Sequence, residues 1–445
     1  MVVKDWERVA QAFSPRRNAR ALWDRKADHL APLDGIRALS ILWVVTFHAA
    51  WFTAEQEPVS RYRALLLAPR MLPVWRGHFG VDVFFVLSGF LIAGMLLDER
   101  ERDGSIRLGL FYVRRLLRLW PALIVAVAAY ALTHGPRPGA LWANALYVSN
   151  FLPVLHGAMG WTWSLSIEEH FYLVCPWLIE LIAGLGARAR VAAIAAIALS
   201  LCGVAAAVVV HGDYHVADSE IAITRDITVW AHAYDELYSK PWMRVGPLLA
   251  GVMAAMIHRK PGAMEALARA RVLGTIGFVV ALFAILLATQ WLLFHESPRA
   301  IEIAFLATYR TVFGVAVAYL LLFSISSHPL GRVLGRVLGA RVLYPVAQLA
   351  YSAYLLNPIA TRFVQYALGT QPFAIAWPLE VLLTFVAASV VYVLVERPFM
   401  ELRPRRGHDR AAPRRRWLVS LAAIALLALV LPLALLELVP RLASP

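Results

Sequence analysis

The sequence predicts an all-α, polytopic transmembrane bundle with a ten-helix core and one further helix at its C-terminal end. Of 445 residues, 60% are hydrophobic and 16% charged, with 15 tryptophans and a mean hydropathy of +0.62. That balance excludes a soluble enzyme. Eleven apolar segments follow one another, at roughly 35–55, 79–97, 111–133, 163–185, 190–210, 242–258, 272–294, 303–325, 343–367, 375–396 and 417–439. Since about 20 residues cross about 30 Å of hydrocarbon, most are long enough to span, and 242–258 is the shortest. With the N-terminus placed in the cytoplasm, 27 Lys and Arg fall in inner connections and 9 in outer ones, leaving 7 in or at the mouths of spans. The positive-inside rule fixes this orientation. The net charge of +14 is then a matter of topology, and no nucleic-acid partner is needed to explain it.

Residues 1–32 form a basic cytoplasmic segment. They lack an apolar core followed by a small-residue cleavage site, so the first span itself directs insertion. That span, "LDGIRALSILWVVTFHAAWF" from Leu33, holds Asp34, Arg37 and His48. Arg37 and His48 are eleven positions apart, almost three turns, so they share a helix face about 16 Å apart along the axis. Ionisable groups inside a span face a bundle interior or a wet cavity, and they mark function by default. The second span, "GHFGVDVFFVLSGFLI", brings His78, Asp82, Ser88 and Gly89. For Ser88 and Gly89, close helix packing is the plain alternative to a place in a site.

The third span enters through "FYVRRLLRLWPAL". Arg114 and Arg118 share a face and form with Arg115 a cationic ridge at the inner mouth. Guanidinium forks suit the phosphates of a cytoplasmic donor, although lipid headgroups would serve the same arginines. The fourth span opens with "WTWSLSIEEHFYLVCPW", where Trp161, Trp163 and Tyr172 fit an interfacial aromatic belt. Glu168 and Glu169 point about 100° apart, so one can face a site while the other faces water or a partner. A carboxylate near His48 would raise the basicity of the imidazole and fix its tautomer.

Arg244 enters the short span at 242–258 from the outer side, where it can anchor the helix or touch substrate. "GRVLGRVLG" at 331–339 reads as a basic amphipathic segment on anionic lipid. Pro358 lies in an apolar run beside Asn357, and a kink there would border a cavity. Glu396, before Arg397 and Pro398, marks an inner helix end as a cap or a surface ion pair. Cys175 and Cys202 both fall in spans, which argues against a disulfide framework or a thiolate metal site. No metal motif, Gly-rich nucleotide loop or appended soluble domain is visible. The organisation is thus 1–32 cytoplasmic segment, 33–400 transmembrane domain, 401–416 cytoplasmic Arg/Pro-rich linker and 417–445 an additional transmembrane helix.

The chain resembles the acyltransferase 3 family of bacterial integral-membrane acyltransferases from about Leu33 to Phe399. The resemblance is carried by Arg37 and His48 in an R-x10-H element, "GVDVFFVLSGFLI", "FYVRRLLRLWP", Asn150-Phe151 ahead of "WSLSIEEHFYL", and the terminal "VERPF". It implies O-acylation of a sugar or envelope glycan in the bacterial inner membrane. The implied donor is cytoplasmic acyl-CoA, with acetyl or another short acyl group and no metal. The implied catalytic residues are His48, as general base, with Glu168 and Glu169, and the donor is held by Arg37, Arg114, Arg115 and Arg118. Substrate contacts are expected from Asp34, Asp82, Ser88, Asn150, Trp163, Ser166, Tyr172, Arg244 and Asn357. Two departures stand out. Asn357 replaces a family histidine and cannot act as acid or base, and His170 stands where the family often has Gln. Outer loops 56–77, 134–162 and 211–241 are the natural surfaces for acceptor recognition. A proton-coupled secondary transporter using the same buried His, Arg and Glu residues is the rival reading, and a non-catalytic lipid-binding scaffold is a third.

Overall fold

The computed structural model describes residues 7, 9–25, 30–54, 64, 68–134, 140–219, 226–290, 293–294, 296–369 and 371–404. Most of the linker at 401–416 and the whole apolar segment 417–439 lie outside the described residues. Regular structure among the described residues is entirely helical. The long helices are α1 (Ala31–Ala54), α2 (Phe79–Asp103), α3 (Leu108–His134), α4 (Trp163–Ile182), α5 (Ala187–His211), α6 (Pro241–Arg259), α7 (Arg271–Ala288), α8 (Arg299–Ser324), α9 (Leu343–Leu368) and α10 (Phe373–Val391). Their bounds match the apolar segments of the sequence to within about five residues, except at 79–97, where the helix runs on to Asp103, and at 272–294, where it ends at Ala288.

Seven of these helices, α1, α2, α3, α5, α7, α8 and α10, are long and apolar enough to cross a membrane, so the chain is a multi-pass integral membrane protein. The other three carry much of the polar chemistry. Glu168, Glu169 and Glu180 lie on α4, Arg244 and His258 on α6, and Asn357 and Gln365 on α9. These polar groups lower the hydropathy of their helices, and several of them, including Arg244 and Asn357, are fully buried, as intramembrane ionisable and polar groups generally are. Apolar side chains of α7 and α10, including Val279, Phe283, Leu382 and Val386, stay exposed on the surface that lipid would cover.

Two helix pairs set the centre of the bundle. α2 and α6 share the most extensive contact, followed by α1 and α9. The backbones of α2 and α6 approach so closely that a Cβ at Gly89 would lie 2.0 Å from the Leu248 carbonyl oxygen, and one at Gly251 would lie 2.2 Å from that of Val86. Gly89 is therefore a packing residue, as the small-residue rule anticipates. The short inner helix Pro329–Leu338 wedges against the start of α1, where a Cβ on Gly35 would lie 2.1 Å from the Leu338 carbonyl. Two turns are wound as π-helix, Tyr234–Tyr238 ahead of α6 and Tyr392–Glu396 continuing α10. Such single turns often accompany functional sites because they re-aim side chains.

Candidate active site

His48 lies six residues before the end of α1, about 9 Å along the axis from the end that the charge bias assigns to the outside. We call that end outer and the opposite one inner. The imidazole lines a cavity of about 480 Å³, a volume within the range of small-molecule sites. The cavity is roofed by the three outer connections named above, through Arg76, Val154, Val216 and Trp230 among others. Pro358 lines it too, beside the imidazole's partner on α9.

The geometry around His48 determines its tautomer. The Asn357 amide nitrogen donates to the backbone carbonyls of Ala353 (3.0 Å) and Tyr354 (2.8 Å). A flipped amide would aim its oxygen at two carbonyl oxygens, so the hydrogen-bond network fixes the assignment. Asn357 Oδ1 then faces His48 Nδ1 at 2.7 Å and can only accept. His48 Nδ1 therefore carries a proton, and in the neutral imidazole Nε2 is the nitrogen that keeps its lone pair. The expectation of a carboxylate beside His48 is corrected here: a fully buried amide holds that place, and neither Glu168 nor Glu169 lines the cavity.

A charged triad stands at the cavity wall. Arg244 Nη1 donates to both Asp82 oxygens (3.0 and 3.1 Å), and Arg310 Nη1 donates to Oδ2 at 2.6 Å. Arg244 and Asp82 are 0% exposed. The Arg244 guanidinium lies against both Trp163 (4.3 Å) and Tyr238 (4.1 Å), whose rings meet edge to face at 5.0 Å, and its Nε donates to the Tyr238 carbonyl. This wound turn at 234–238 delivers both the ring and the carbonyl. Trp163, Tyr238 and Arg310 line the cavity, whereas Asp82 and Arg244 stand behind that lining. Sequence reasoning passed over Arg310, an isolated arginine within a span and in no motif, whose partner is 228 residues away. It also left His78 without a role. That imidazole lines the cavity as well, its Nδ1 donating to the Trp75 carbonyl at 2.9 Å.

The inner end gathers a second cluster. Arg37 pairs with Asp34 at 3.6 Å and lies in the field of Arg118, Tyr344 and Glu396. Asp34 occupies the first turn of α1, where a carboxylate also meets the positive end of the helix dipole. Arg115 stands over the Tyr172 ring at 5.8 Å. Tyr172 donates to Ser88 (3.2 Å), and Ser88 donates to Glu168 Oε1 (2.6 Å). Glu169 lies in the field of Arg115 and Glu168. Glu396 is corrected from a surface group to a buried one, accepting from Ser352 at 2.7 Å. Arg403, beyond the last described helix, joins the cluster. Burial, then the like charges of Arg118, Arg115 and Arg114, push its guanidinium below the usual arginine range. Guanidiniums gathered this closely repel one another and form a strongly cationic group, the kind of surface suited to oxyanions.

The 480 Å³ cavity does not reach the inner cluster: among the described residues, none of Arg37, Arg114, Arg115 or Arg118 lines it, and Arg114 and Arg115 border a separate crevice of about 10 Å³. A file of hydroxyls lies between cavity and cluster instead. Tyr354, one turn inward of Asn357, bonds Ser164 at 2.5 Å. Tyr351 donates to the Leu119 carbonyl at 2.7 Å and pairs with Tyr147. The remaining expected substrate contacts make hydrogen bonds within the protein. Asn150 ties its turn to Ser239 and Lys240, and Ser166 bonds Ser149 at 3.2 Å. His170 stacks on Phe151 at 5.4 Å. Among the described residues, no group of three or more metal-ligating side chains is present.

A family model described as an acyltransferase domain matches residues 30–397. The chain belongs to the acyltransferase 3 family. Membership makes it an acyltransferase and accounts for the order of its motifs. This acyltransferase 3 chain is 25% identical over 425 residues to the O-acetyltransferase OatA of Staphylococcus aureus (strain NCTC 8325 / PS 47), covering 89% of this chain and 60% of that protein. It is also 32% identical over 167 residues to the peptidoglycan O-acetyltransferase OatA of Listeria monocytogenes serovar 1/2a, covering 33% and 24% of the two chains. The chain thus spans about 60% of the length of the staphylococcal relatives it matches. No solved structure matches this acyltransferase 3 chain significantly.

Proposed function

We propose that the protein O-acetylates a hydroxyl of a cell-envelope glycan of the peptidoglycan type, drawing the acetyl group from cytoplasmic acetyl-CoA. The observation that carries the reading is the His48–Asn357 pair at a cavity wall. It supplies a neutral imidazole with a defined tautomer and an unprotonated Nε2, which is what a general base for a hydroxyl needs. The names of the relatives support the acetyl group and the glycan acceptor. The inner arginines support a phosphate-bearing donor.

In this mechanism the acceptor occupies the outer cavity and presents a hydroxyl to His48 Nε2. The imidazole takes the proton as the oxygen attacks the thioester carbonyl carbon. Asn357 Oδ1 accepts from Nδ1–H and holds the ring as its charge becomes positive. Collapse of the tetrahedral intermediate breaks the carbon–sulfur bond, and the departing thiolate takes the proton back from Nε2–H. Arg37, Arg114, Arg115, Arg118 and Arg403 hold the donor's phosphates at the inner face. For the thioester to meet His48, the packed file of Tyr354 and Tyr351 has to part along α9. Glu168 and Glu169 are then partners of the inner arginines and do not act as acid or base at the reacting atoms.

The test is thiol release from purified protein in proteoliposomes, with mass spectrometry of the glycan. Acceptor-dependent release of CoA and a mass gain of one acetyl group are expected, and release that ignores the acceptor sinks the reading. Replacing Arg114 and Arg118 by Gln should weaken CoA binding about tenfold or more, since each charge-assisted hydrogen bond contributes about 1.5–3 kcal/mol. Calorimetry checks this, and unchanged affinity would return both arginines to lipid headgroups.

A further inference from the structure

Among the described residues, the charged side chains that line the outer cavity are all basic. Its lining includes Arg76, Arg310 and Arg362 together with His48 and His78 and, among the described residues, no Asp or Glu. Behind the wall, Asp82 is shared between the guanidiniums of Arg244 and Arg310. The triad of one carboxylate and two arginines therefore keeps one net positive charge beside the cavity. Arg310 presents it across aromatic faces, 4.7 Å from Tyr309 and 5.1 Å from Phe79 and Tyr238. Arg362 lies 4.7 Å over Phe52 on another wall. The remaining walls are mostly aromatic, with Trp51 stacked on Trp230 at 6.4 Å.

A neutral glycan would leave the triad's surplus positive charge, presented by the buried Arg310, desolvated and without a counter-anion, at a cost of several kcal/mol per buried ion. An anionic ligand offsets that cost, and Arg is the residue suited to paired hydrogen bonds with carboxylate or phosphate. Flat aromatic walls suit the apolar faces of a sugar ring, with a few charged groups to set orientation. We infer that the cavity selects an anionic saccharide, one bearing a carboxylate or phosphate, which Arg310 and Arg362 hold while a neighbouring hydroxyl faces His48.

This inference rests on reading the cavity as the acceptor's site, so its test measures binding and not turnover. The His48→Ala protein, in detergent, is titrated with methyl glucoside, methyl glucuronide and glucose 6-phosphate, followed by the fluorescence of Trp51, Trp161, Trp163 and Trp230. At least tenfold tighter binding of an acidic sugar over the neutral one is expected, and the two acidic sugars tell carboxylate from phosphate recognition. Arg362→Gln, at an exposed position, should shrink that ratio below threefold, and Arg310→Lys should shrink it while keeping the charge opposite Asp82. Equal affinities, or an Arg362→Gln ratio that does not move, overturn the proposal. Displacement of the acidic sugar by 3′-phosphoadenosine 5′-diphosphate also overturns it, because the positive lining would then belong to the donor. Charge-selective binding without thiol release would sink the catalytic reading alone, and thiol release without charge preference would sink only this one.

Discussion

Replacing His48 by alanine should lower acyl transfer by about 10²–10⁴-fold, the typical contribution of a positioned general base, and leave the protein inserted and folded. The imidazole is only part-buried, and among the described residues its one polar contact is Asn357, so the bundle loses little with it. Asn357→Ala should do less. It removes one orienting hydrogen bond, about 1–1.5 kcal/mol, or roughly tenfold in rate, and the loss should appear in kcat with KM for the donor unchanged. Thiol release measures both variants, and thermal unfolding in detergent confirms the fold. A His48→Ala protein that transfers at a near-normal rate would remove the base from the mechanism. If Asn357→Ala also left kcat unchanged, the amide would be a packing group and nothing more.

Replacing Asp82 by alanine should instead cost stability, about 3–5 kcal/mol, as expected when one partner of a buried charge network is removed and the others are left uncompensated. Arg244, 0% exposed, and Arg310, 4% exposed, would then face each other without an anion in a medium that screens poorly. Thermal unfolding should show a large fall in Tm. The triple replacement Asp82→Leu, Arg244→Leu, Arg310→Leu should recover much of the loss, because replacing a whole buried ion group by apolar residues is often neutral or stabilising. Recovered stability without recovered transfer would separate the two duties of the triad. A single Asp82→Ala protein with unchanged Tm would show that the carboxylate does not hold the helices together.

The spans were legible because a membrane helix must be apolar over about 20 residues whatever it packs against, and the face shared by Arg37 and His48 follows from helical periodicity alone. Both residues do turn toward α9, Arg37 in the field of Tyr344 and His48 bonded to Asn357. What periodicity could not supply was the partner on another helix. Arg310 looks like a stray charge until Asp82 is placed beside it. Asn357 looked inert because its value lies in two carbonyls of its own helix that fix the direction of its oxygen. Glu168 and Glu169 were rightly set on different bearings by the 100° step, but the sequence could not show that the polar groups they meet are Ser88 and the inner arginines. Glu396 resembled a terminal cap because the string around it ends a span. The wound turn at Tyr392–Glu396 carries it inside.

The close approach of α2 and α6 has a further consequence. Asp82 and Arg244 are 162 positions apart, and so are Gly89 and Gly251. The same offset is thus riveted twice, about 10.5 Å apart along two helices. A methyl group at either glycine would force the backbones apart, and Arg244 could then no longer grip both oxygens of Asp82. Neither rivet can change alone, and the pair behaves as one stiff strut, so any breathing that admits substrates has to come from the opposite wall.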